Sequence, residues 1–381
     1  MGWWFGRKSA PADARPFVPG WASLGLNGCS QEEGFARSYC GQFDEVYRRN
    51  PVGQRSVRLI AGMLGSLTID GNPSTDSGEA AAALVKADGL LEGIAANLLL
   101  HGNAYVQLIA DSRDAPAELV QLRPERVQVV ANERGWPIAY LYQAAGTATR
   151  YNRIDALGRQ QVVHIKALHP RDDHYGMGCL EAATPAATVH NRAAKWNKSL
   201  LDNAARPSGA LTYEPADGTT LSDEQFKHLK DELAREFSGE ANVGRPLLLD
   251  GGLKWQALSL TPADMDFVAL KEGAARDIAL AFGVPPVLVG LPGDATYANA
   301  REAGRALYRQ TILPMAARIL DALAAMLSDW IGEVTLTADT DQISEIADDR
   351  ATLWTQVGAA SFLTEGEKRT MLGFPAERPV L

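Results

Sequence analysis

The chain has 381 residues, 46% of them hydrophobic and 22% charged. That is a globular composition, which excludes a disordered tail protein or a collagen-like fibre and leaves enough apolar side chains for a substantial core. A net charge of −9, from 46 acidic against 37 basic residues, argues against a surface built to capture DNA by its phosphates. Such a surface would be basic, so any contact with nucleic acid is loose, local or by passage.

Residues 1–42 are rich in Gly, Pro, Ser and aromatics and show no sustained period, which predicts an extended N-terminal arm ordered against a neighbour. The opening Met1-Gly-Trp-Trp-Phe-Gly-Arg-Lys lacks an apolar h-region and a cleavage site, and Gly6 stands where a myristoylation motif needs Ser or Thr. No run approaches the roughly 18 uninterrupted apolar residues of a membrane span. The chain therefore reads as soluble, without a membrane partner. Asn50-Pro51 predicts an N-cap with proline at the first helical position, followed by Val57, Ile60, Ala61 and Leu64 at helical spacing. A second helix is expected over residues 79–101. Short β-prone runs follow at 105–109, 127–130, 138–142 and 162–166, parted by turn material such as Asn132-Glu-Arg-Gly135. Without βαβ alternation, this is an α+β domain.

Thr184-Pro185 predicts a fresh helix start, and Val189, Ala193, Trp196 and Leu200 carry an apolar face towards the stop at Arg206-Pro207. About 20 residues make a rod of about 30 Å. A compact insert comes next. It has a strand at 209–213 and the capping box Ser222-Asp-Glu-Gln225 opening a helix. Residues 246–258 read as a hairpin turning on Asp250-Gly251-Gly252. Thr261-Pro-Ala-Asp264 caps a second rod of similar length, on which Phe267, Val268, Leu270, Ala274, Ala275, Ile278, Ala281 and Phe282 fall in one arc. Gly283 and Pro285-Pro286 end it. A loop punctuated by Gly and Pro runs from Leu288 to Ala295. A long helix over 296–331 is expected to kink at Pro314. A strand at 334–337 and helices near 344–357 and 364–372 complete the chain. Two equal rods flanking a small insert suit a subunit of a ring with a stalk.

Several clusters invite a chemical reading. His164, His169 and His174, with Asp172 and Asp173, gather metal-ligand types, and a metal-dependent hydrolase is one rival for the function. The spacing offers no helical i, i+4 pair, so a polar loop is the expected reading and no metal is assigned. Gly239-Glu-Ala-Asn-Val-Gly-Arg245 imitates P-loop glycine spacing but lacks the Lys-Ser/Thr that holds phosphate and magnesium. Nucleophile-elbow, zincin and dinucleotide motifs are missing, so neither catalytic residues nor a cofactor is assigned. Cys29, Cys40 and Cys179 lack metal-ligand spacing and read as free thiols in a reducing compartment. Arg301, Arg305 and Arg309 form an i, i+4, i+8 stripe, and Arg192, Lys195 and Lys198 place positive charge on the first rod. A solvated face or intersubunit ion pairs is the default for both sets, with DNA contact as the alternative.

From Asn50 to Pro375 the chain resembles the HK97-type family of phage portal proteins. The resemblance rests on an ordered series of strings: Leu99-Leu-His-Gly-Asn-Ala-Tyr105, Leu122-Arg-Pro-Glu-Arg-Val127, Asn197-Lys-Ser-Leu-Leu-Asp-Asn-Ala-Ala-Arg-Pro-Ser-Gly-Ala-Leu211, Leu249-Asp-Gly-Gly-Leu-Lys-Trp-Gln-Ala-Leu-Ser259 and Ile278-Ala-Leu-Ala-Phe-Gly-Val-Pro-Pro-Val-Leu-Val-Gly290. It continues through Thr296-Tyr-Ala-Asn299, Tyr308-Arg-Gln-Thr-Ile-Leu-Pro314, Leu363-Thr-Glu-Gly-Glu-Lys-Arg369 and Leu372-Gly-Phe-Pro375. Each string is weak alone; their order and spacing are specific.

The resemblance implies an α+β portal fold. Its parts would be an arm at 1–42, a wing at 43–183, a stem helix at 184–206, a clip at 207–260 and a second stem helix at 261–283. A tunnel loop at 284–296, a long wing-to-crown helix at 297–331 and a crown region at 332–381 would follow. It also implies a homo-oligomeric ring of about twelve subunits at the portal vertex of a phage or gene-transfer-agent particle. Double-stranded DNA would pass through it, and the partners would be the terminase large subunit, a head-tail adaptor protein and the major capsid protein. The tunnel-loop residues facing DNA would be Val289, Gly290, Leu291, Pro292, Gly293, Asp294 and Ala295. The chain is short for this family and offers little beyond Gly332 for an elaborate crown. Another ring or adaptor protein of a tail or secretion machine is the remaining alternative.

Overall fold

The Asn50 carboxamide accepts hydrogen bonds from the Val52 and Gly53 amides at 3.0 and 3.1 Å, and Pro51 occupies the first helical turn of α2 (Pro51–Gly65). The cap-plus-proline signal is thus realised as expected. In the computed structural model the described residues are 38–71, 76–144, 146–202, 209–213, 222–228, 231, 253–257, 267–292 and 297–372. The chain enters α2 through α1 (Tyr39–Phe43) and a π-helical turn at Asp44–Arg48. A Cβ on Gly53 would lie 2.1 Å from the Val46 carbonyl oxygen, so this approach of turn and helix requires a glycine.

The single helix expected over 79–101 is two. α3 (Asp76–Lys86) gives way to a 3-10 turn at Ala87–Gly89, and α4 (Leu90–His101) follows. Gly89 adopts φ +67°, a left-handed conformation that interrupts the hydrogen-bond ladder. Apolar periodicity runs across this break because both helices bury residues, among them Val85, Leu91, Ile94 and Leu98.

Among the described residues the strands form four antiparallel sheets. β1 (Ile69–Gly71) pairs with β10 (Leu336–Ala338). β2 (Asn103–Ala110) lies between β3 (Pro116–Leu122) and β7 (Val162–Lys166). β5 (Pro137–Ala144) lies between β4 (Val127–Ala131) and β6 (Thr147–Asn152). β8 (Gly209–Tyr213) pairs with β9 (Leu253–Ala257). Tyr105, Leu122, Val127, Val129, Tyr140, Val162 and Tyr175 make one buried cluster joining β2, β4, β5 and β7. The fold is α+β, as read from the sequence. The first arm of the hairpin expected over 246–258, and its turn, lie outside the described residues.

The first rod begins earlier than Thr184-Pro185 suggests. α5 spans Leu180–Asp202 and keeps Pro185 inside it. Thr184 does not cap; its hydroxyl donates to the Leu180 carbonyl at 2.7 Å. Burial of Leu180 and Ala183 carries the helix back across the proline, whose missing amide costs only one bond near the helix start. Trp196, expected on the apolar face, is half exposed, while Ala187, Thr188, His190 and Ala193 are buried. Residues 203–206 at the expected stop lie outside the described set. The described part of the second rod is α6 (Phe267–Ala281). Ala274, Ala275 and Ile278 are buried, but Val268 and Leu270 are exposed, so the expected apolar arc is only partly covered. Gly283 at φ +69° ends the helix, and Pro286–Val289 forms a 3-10 turn where a plain loop was expected.

The long C-terminal helix forms as α7 (Tyr297–Leu307), a π-helical turn at Tyr308–Ile312 and α8 (Leu313–Ile331). Pro314 sits in the first turn of α8, and the widened turn before it absorbs the lost amide bond. By length and composition, 298–331 would be long and apolar enough to cross a membrane. In this fold Ile319, Leu320, Leu323, Met326 and Leu327 of α8 are instead buried, with α3, α4, β7 and β10 packed against the helix. The C-terminal end of α8 is tied down by Arg159. Its guanidinium pairs with Asp114 at 2.7 Å and Asp155 at 2.9 Å and lies 3.8 Å over the Trp330 ring. Trp330 Nε1 donates to the Gln160 carbonyl at 2.8 Å, and the Gln160 amide donates to Asp329 at 3.0 Å. Two short helices finish the described chain, α9 (Ala347–Ala359) and α10 (Glu365–Met371), the latter opened by a capping box between Thr364 and Glu367.

The chain divides into two compact units, one of residues 1–184 with 279–381 and one of 185–278. The second holds most of both rods with the insert between them.

Replacing Gly53 by Ala should lower stability by about 1–3 kcal/mol, because the new methyl meets backbone rather than a movable side chain. A denaturant titration monitored by far-UV circular dichroism reads this directly; an unchanged midpoint would show that the turn relaxes freely.

Candidate functional site

The string Leu99–Tyr105 builds a buried polar knot. α4 stops at Gly102 (φ +80°), and Asn103, fully buried, opens β2 one residue later. Its Oδ1 accepts the Gly176 amide at 2.7 Å and His164 Nε2 at 2.9 Å. Its Nδ2 lies 3.1 Å from the Gly176 carbonyl, 3.2 Å from the His101 carbonyl and 3.1 Å from His101 Nδ1. This network assigns the tautomers: His164 carries its proton on Nε2, and His101 offers a bare Nδ1 lone pair. With a bare Nδ1 the His101 ring is neutral, and burial favours the neutral form of His164 as well. Burial holds the His101 pKa down at about 4 and that of His164 at about 3, the nearby Lys166 adding to the latter. His164 also stacks on Tyr105 at 4.2 Å and meets Tyr140 edge-on at 6.0 Å.

Glycines let the backbone close this knot. A Cβ on Gly176 would fall 2.1 Å from the Gly102 carbonyl oxygen, and one on Gly178 would fall 2.5 Å from that of Leu100. The Cys179 amide then donates to Leu99 at 2.7 Å, and α5 begins at the next residue. The knot thus fixes where the first rod starts.

The histidine cluster is dispersed by the same geometry. His164 is committed to Asn103, and His169 Nδ1 accepts the Arg171 amide at 3.1 Å in a loop. The His174 amide is held by Asp172 at 2.7 Å. Among the described residues no group of three His, Cys, Asp or Glu side chains is arranged to hold a metal ion. The P-loop imitation at 239–245 lies outside the described residues. Of the thiols, Cys40 is exposed, and burial pushes that of Cys179 up to about 11.

Of the tunnel-loop residues, Val289 closes the 3-10 turn and is half-buried, Gly290 adopts φ +81°, Leu291 is half-buried and Pro292 is exposed. Gly293, Asp294 and Ala295 lie outside the described residues. Arg305 pairs with Glu302 at 3.0 Å and donates to the Glu345 carbonyl at 3.4 Å. Arg301 and Arg309 are exposed on the same helical run, and Arg192, Lys195 and Lys198 are exposed on α5. Buried His190 of α5 has its pKa lowered by burial and by Lys271 of α6, so the two rods run close together at this level. A polar cleft of about 270 Å³ opens beside the π-helical turn, lined by Thr68, Tyr308, Asp339, Gln342 and Glu345 among others. Sequence reasoning did not find it, since its walls come from three distant segments.

The family model "Phage portal protein" matches residues 51–373. A protein of Rickettsia bellii is 41% identical over 350 residues, covering 87% of this chain and 88% of its own. The portal protein of Enterobacteria phage HK97 is 23% identical over 200 residues, covering 52% and 44%. Among solved structures, the chain is similar to one from the neck of a native gene transfer agent particle computed with C12 symmetry. The TM-score is 0.66 and the identity 41%, over 92% of this chain and 97% of that one. An HK97 family phage portal protein from Corynebacterium diphtheriae shares the fold at a TM-score of 0.52 and 16% identity, over 80% and 97%.

The polar knot predicts acid lability. Folded pKa values for His101 and His164 lie below the unfolded value of 6.5, so the unfolded chain takes up protons first. Their contribution to stability is full above pH 6.5 and is lost as pH falls from 6.5 towards 4 and 3. Substituting Asn103 by Leu orphans the Gly176 amide and should cost about 1–3 kcal/mol. Thermal melts from pH 7 to pH 4, wild type against Asn103→Leu, test both; a flat profile would mean the histidines are not held neutral.

Proposed function

Because this chain belongs to the phage portal protein family, we propose that it works as one subunit of a closed ring at the unique vertex of a phage-like capsid. The ring would be the channel for DNA packaging and ejection and the docking platform for the packaging motor and the tail. The observation that carries this reading is near full-length similarity to a component of a gene-transfer-agent neck computed with twelve-fold symmetry. By the same similarity the host particle would be of gene-transfer-agent type, and about twelve copies would close the ring.

In this reading residues 43–183 form the wing and 184–206 with 261–283 form the paired stem. The clip at 207–260 meets the terminase large subunit and later the head-tail adaptor protein. The 297–331 helix and 332–381 form the wing-to-crown region, with the major capsid protein surrounding the wing. The division of the chain into a unit of 185–278 and the remainder agrees with a stem and clip built separately from the wing. The loop at 284–296 would face DNA, and Gly290 enters it in a left-handed conformation that a β-branched residue would adopt only under strain.

DNA has to slide, so tight phosphate capture would work against the channel. A net charge of −9 suits low-grip passage, since each neutralised phosphate strengthens a bond that translocation has to break. Arg192, Lys195 and Lys198, exposed on α5, and Arg301, Arg305 and Arg309 on the long helix are the candidates for brief contact with DNA or for pairing between neighbouring subunits. ATP hydrolysis would belong to the separate motor, and the chain itself would need no cofactor.

Imaging or native mass measurement of the purified protein should return a ring; a stable monomer at assembly concentrations would sink the proposal. Shortening the loop Leu291–Ala295 should leave rings intact while impairing DNA packaging or retention, scored by DNase-resistant DNA in particles. Exchanging Arg192, Lys195 and Lys198 for Gln separates their two roles. Intact rings with weaker packaging support DNA contact, and lost rings support intersubunit pairing.

A further inference from the structure

We infer that the polar cleft beside the π-helical turn at Tyr308–Ile312 is a binding site for a guanidinium group, the end of an arginine side chain presented by another polypeptide. The cleft is walled by the α2–β1 connection, the π-helical turn and the β10–α9 connection, and Asp339 and Glu345 stand in it half-buried. No lysine, arginine or histidine lines it. Among the described residues neither carboxylate has an ion-pair partner, whereas the arginines nearby are matched elsewhere, Arg305 to Glu302 and Arg350 to Asp341. Two half-buried carboxylates lining one small cleft without a counter-charge are costly unless a cation completes them.

Tyr308 is an independent sign of a ligand. The residue is only 7% exposed, its side chain lines the cleft, and among the described residues its hydroxyl makes no hydrogen bond. Burial and the nearby Glu345 carboxylate both raise its pKa, so carboxylate and phenol act on the same space. The rest of the wall is positioned in advance. Gln342 Nε2 donates to Asp339 at 2.8 Å, and its Oε1 accepts the Thr68 hydroxyl at 3.3 Å. The Ser344 hydroxyl donates to Glu345 Oε2 at 2.9 Å, which leaves Oε1 open. Arg305 donates to the Glu345 backbone carbonyl at 3.4 Å, and a Cβ on Gly304 would lie 3.5 Å from Glu345 Cγ, so this side chain is seated against α7.

Size and donor set select the cation. A volume of about 270 Å³ falls short of the roughly 300–1,000 Å³ of a cofactor-sized pocket and suits one long side chain. A bare metal ion does not match the walls, since among the described residues no three His, Cys, Asp or Glu side chains gather to hold one. An ammonium is a compact, strongly hydrated point charge. A guanidinium is planar and more weakly hydrated, and its five N–H donors reach acceptors on different walls. Buried Leu67 and Ile343, with the Tyr308 ring, offer apolar surface for the stem that carries it.

The experiment is a saturation-transfer NMR titration of the full-length protein with N-acetyl-arginine amide, on the native oligomer and again on subunits dissociated by dilution. N-acetyl-citrulline amide, similar in shape and uncharged, is the control. The arginine probe should bind saturably and at least about tenfold more tightly than the citrulline probe. Glu345→Gln should weaken it about tenfold and Tyr308→Phe about threefold, with thermal melts unchanged. Binding to dissociated subunits but not to the oligomer supports the site and makes a second copy the source of the arginine; binding to both supports it and makes the source a different protein. Equal affinity for the two probes, arginine binding that neither variant weakens, or no binding in either state overturns the inference. A protein that stays monomeric tests the site equally well, so failure of the ring and failure of the cleft are read separately.

Discussion

Asn103 must satisfy a carboxamide at a position with no access to water. A buried amide left unpaired costs more than any one hydrogen bond contributes, so its partners have to arrive together. They come from His164, 61 residues on, and from Gly176, 73 residues on. The requirement therefore fixes the seating of β7 on β2, the close passage of the 176–178 loop beneath Gly102, and the residue at which α5 begins. The glycines on both sides of that crossing are there because backbone meets backbone within the reach of a Cβ. Among the described residues the Tyr105 hydroxyl is the one buried side-chain polar atom without a hydrogen-bond partner, and it sits beside an otherwise satisfied network.

The sequence made local signals legible and left their distant partners hidden. Asn50-Pro51 and Thr364 with Glu367 act within one turn of helix, so their chemistry is complete in the string, and the structure contains both caps. Thr184-Pro185 looks the same but is overridden by Leu180 and Ala183, whose burial is a tertiary fact. Gly89 breaks a helix that apolar periodicity carries straight through. The histidines kept a metal site open as a rival to the expected polar loop because their residue types were visible and their hydrogen-bond partners, Asn103 among them, were not. The family resemblance rests on the order and spacing of many short strings, none of them specific by itself.

The long helix combines fixed and adjustable parts. Arg159, Asp329 and Trp330 clamp its C-terminal end to the β-hairpins, and the apolar face of α8 is sealed in the core. Upstream of Pro314 the π-helical turn gives up regular bonding, and α7 lies against the 3-10 turn that opens the proposed tunnel loop. A channel component needs this distribution, since a loop can reshape for passing DNA only if the body behind it does not.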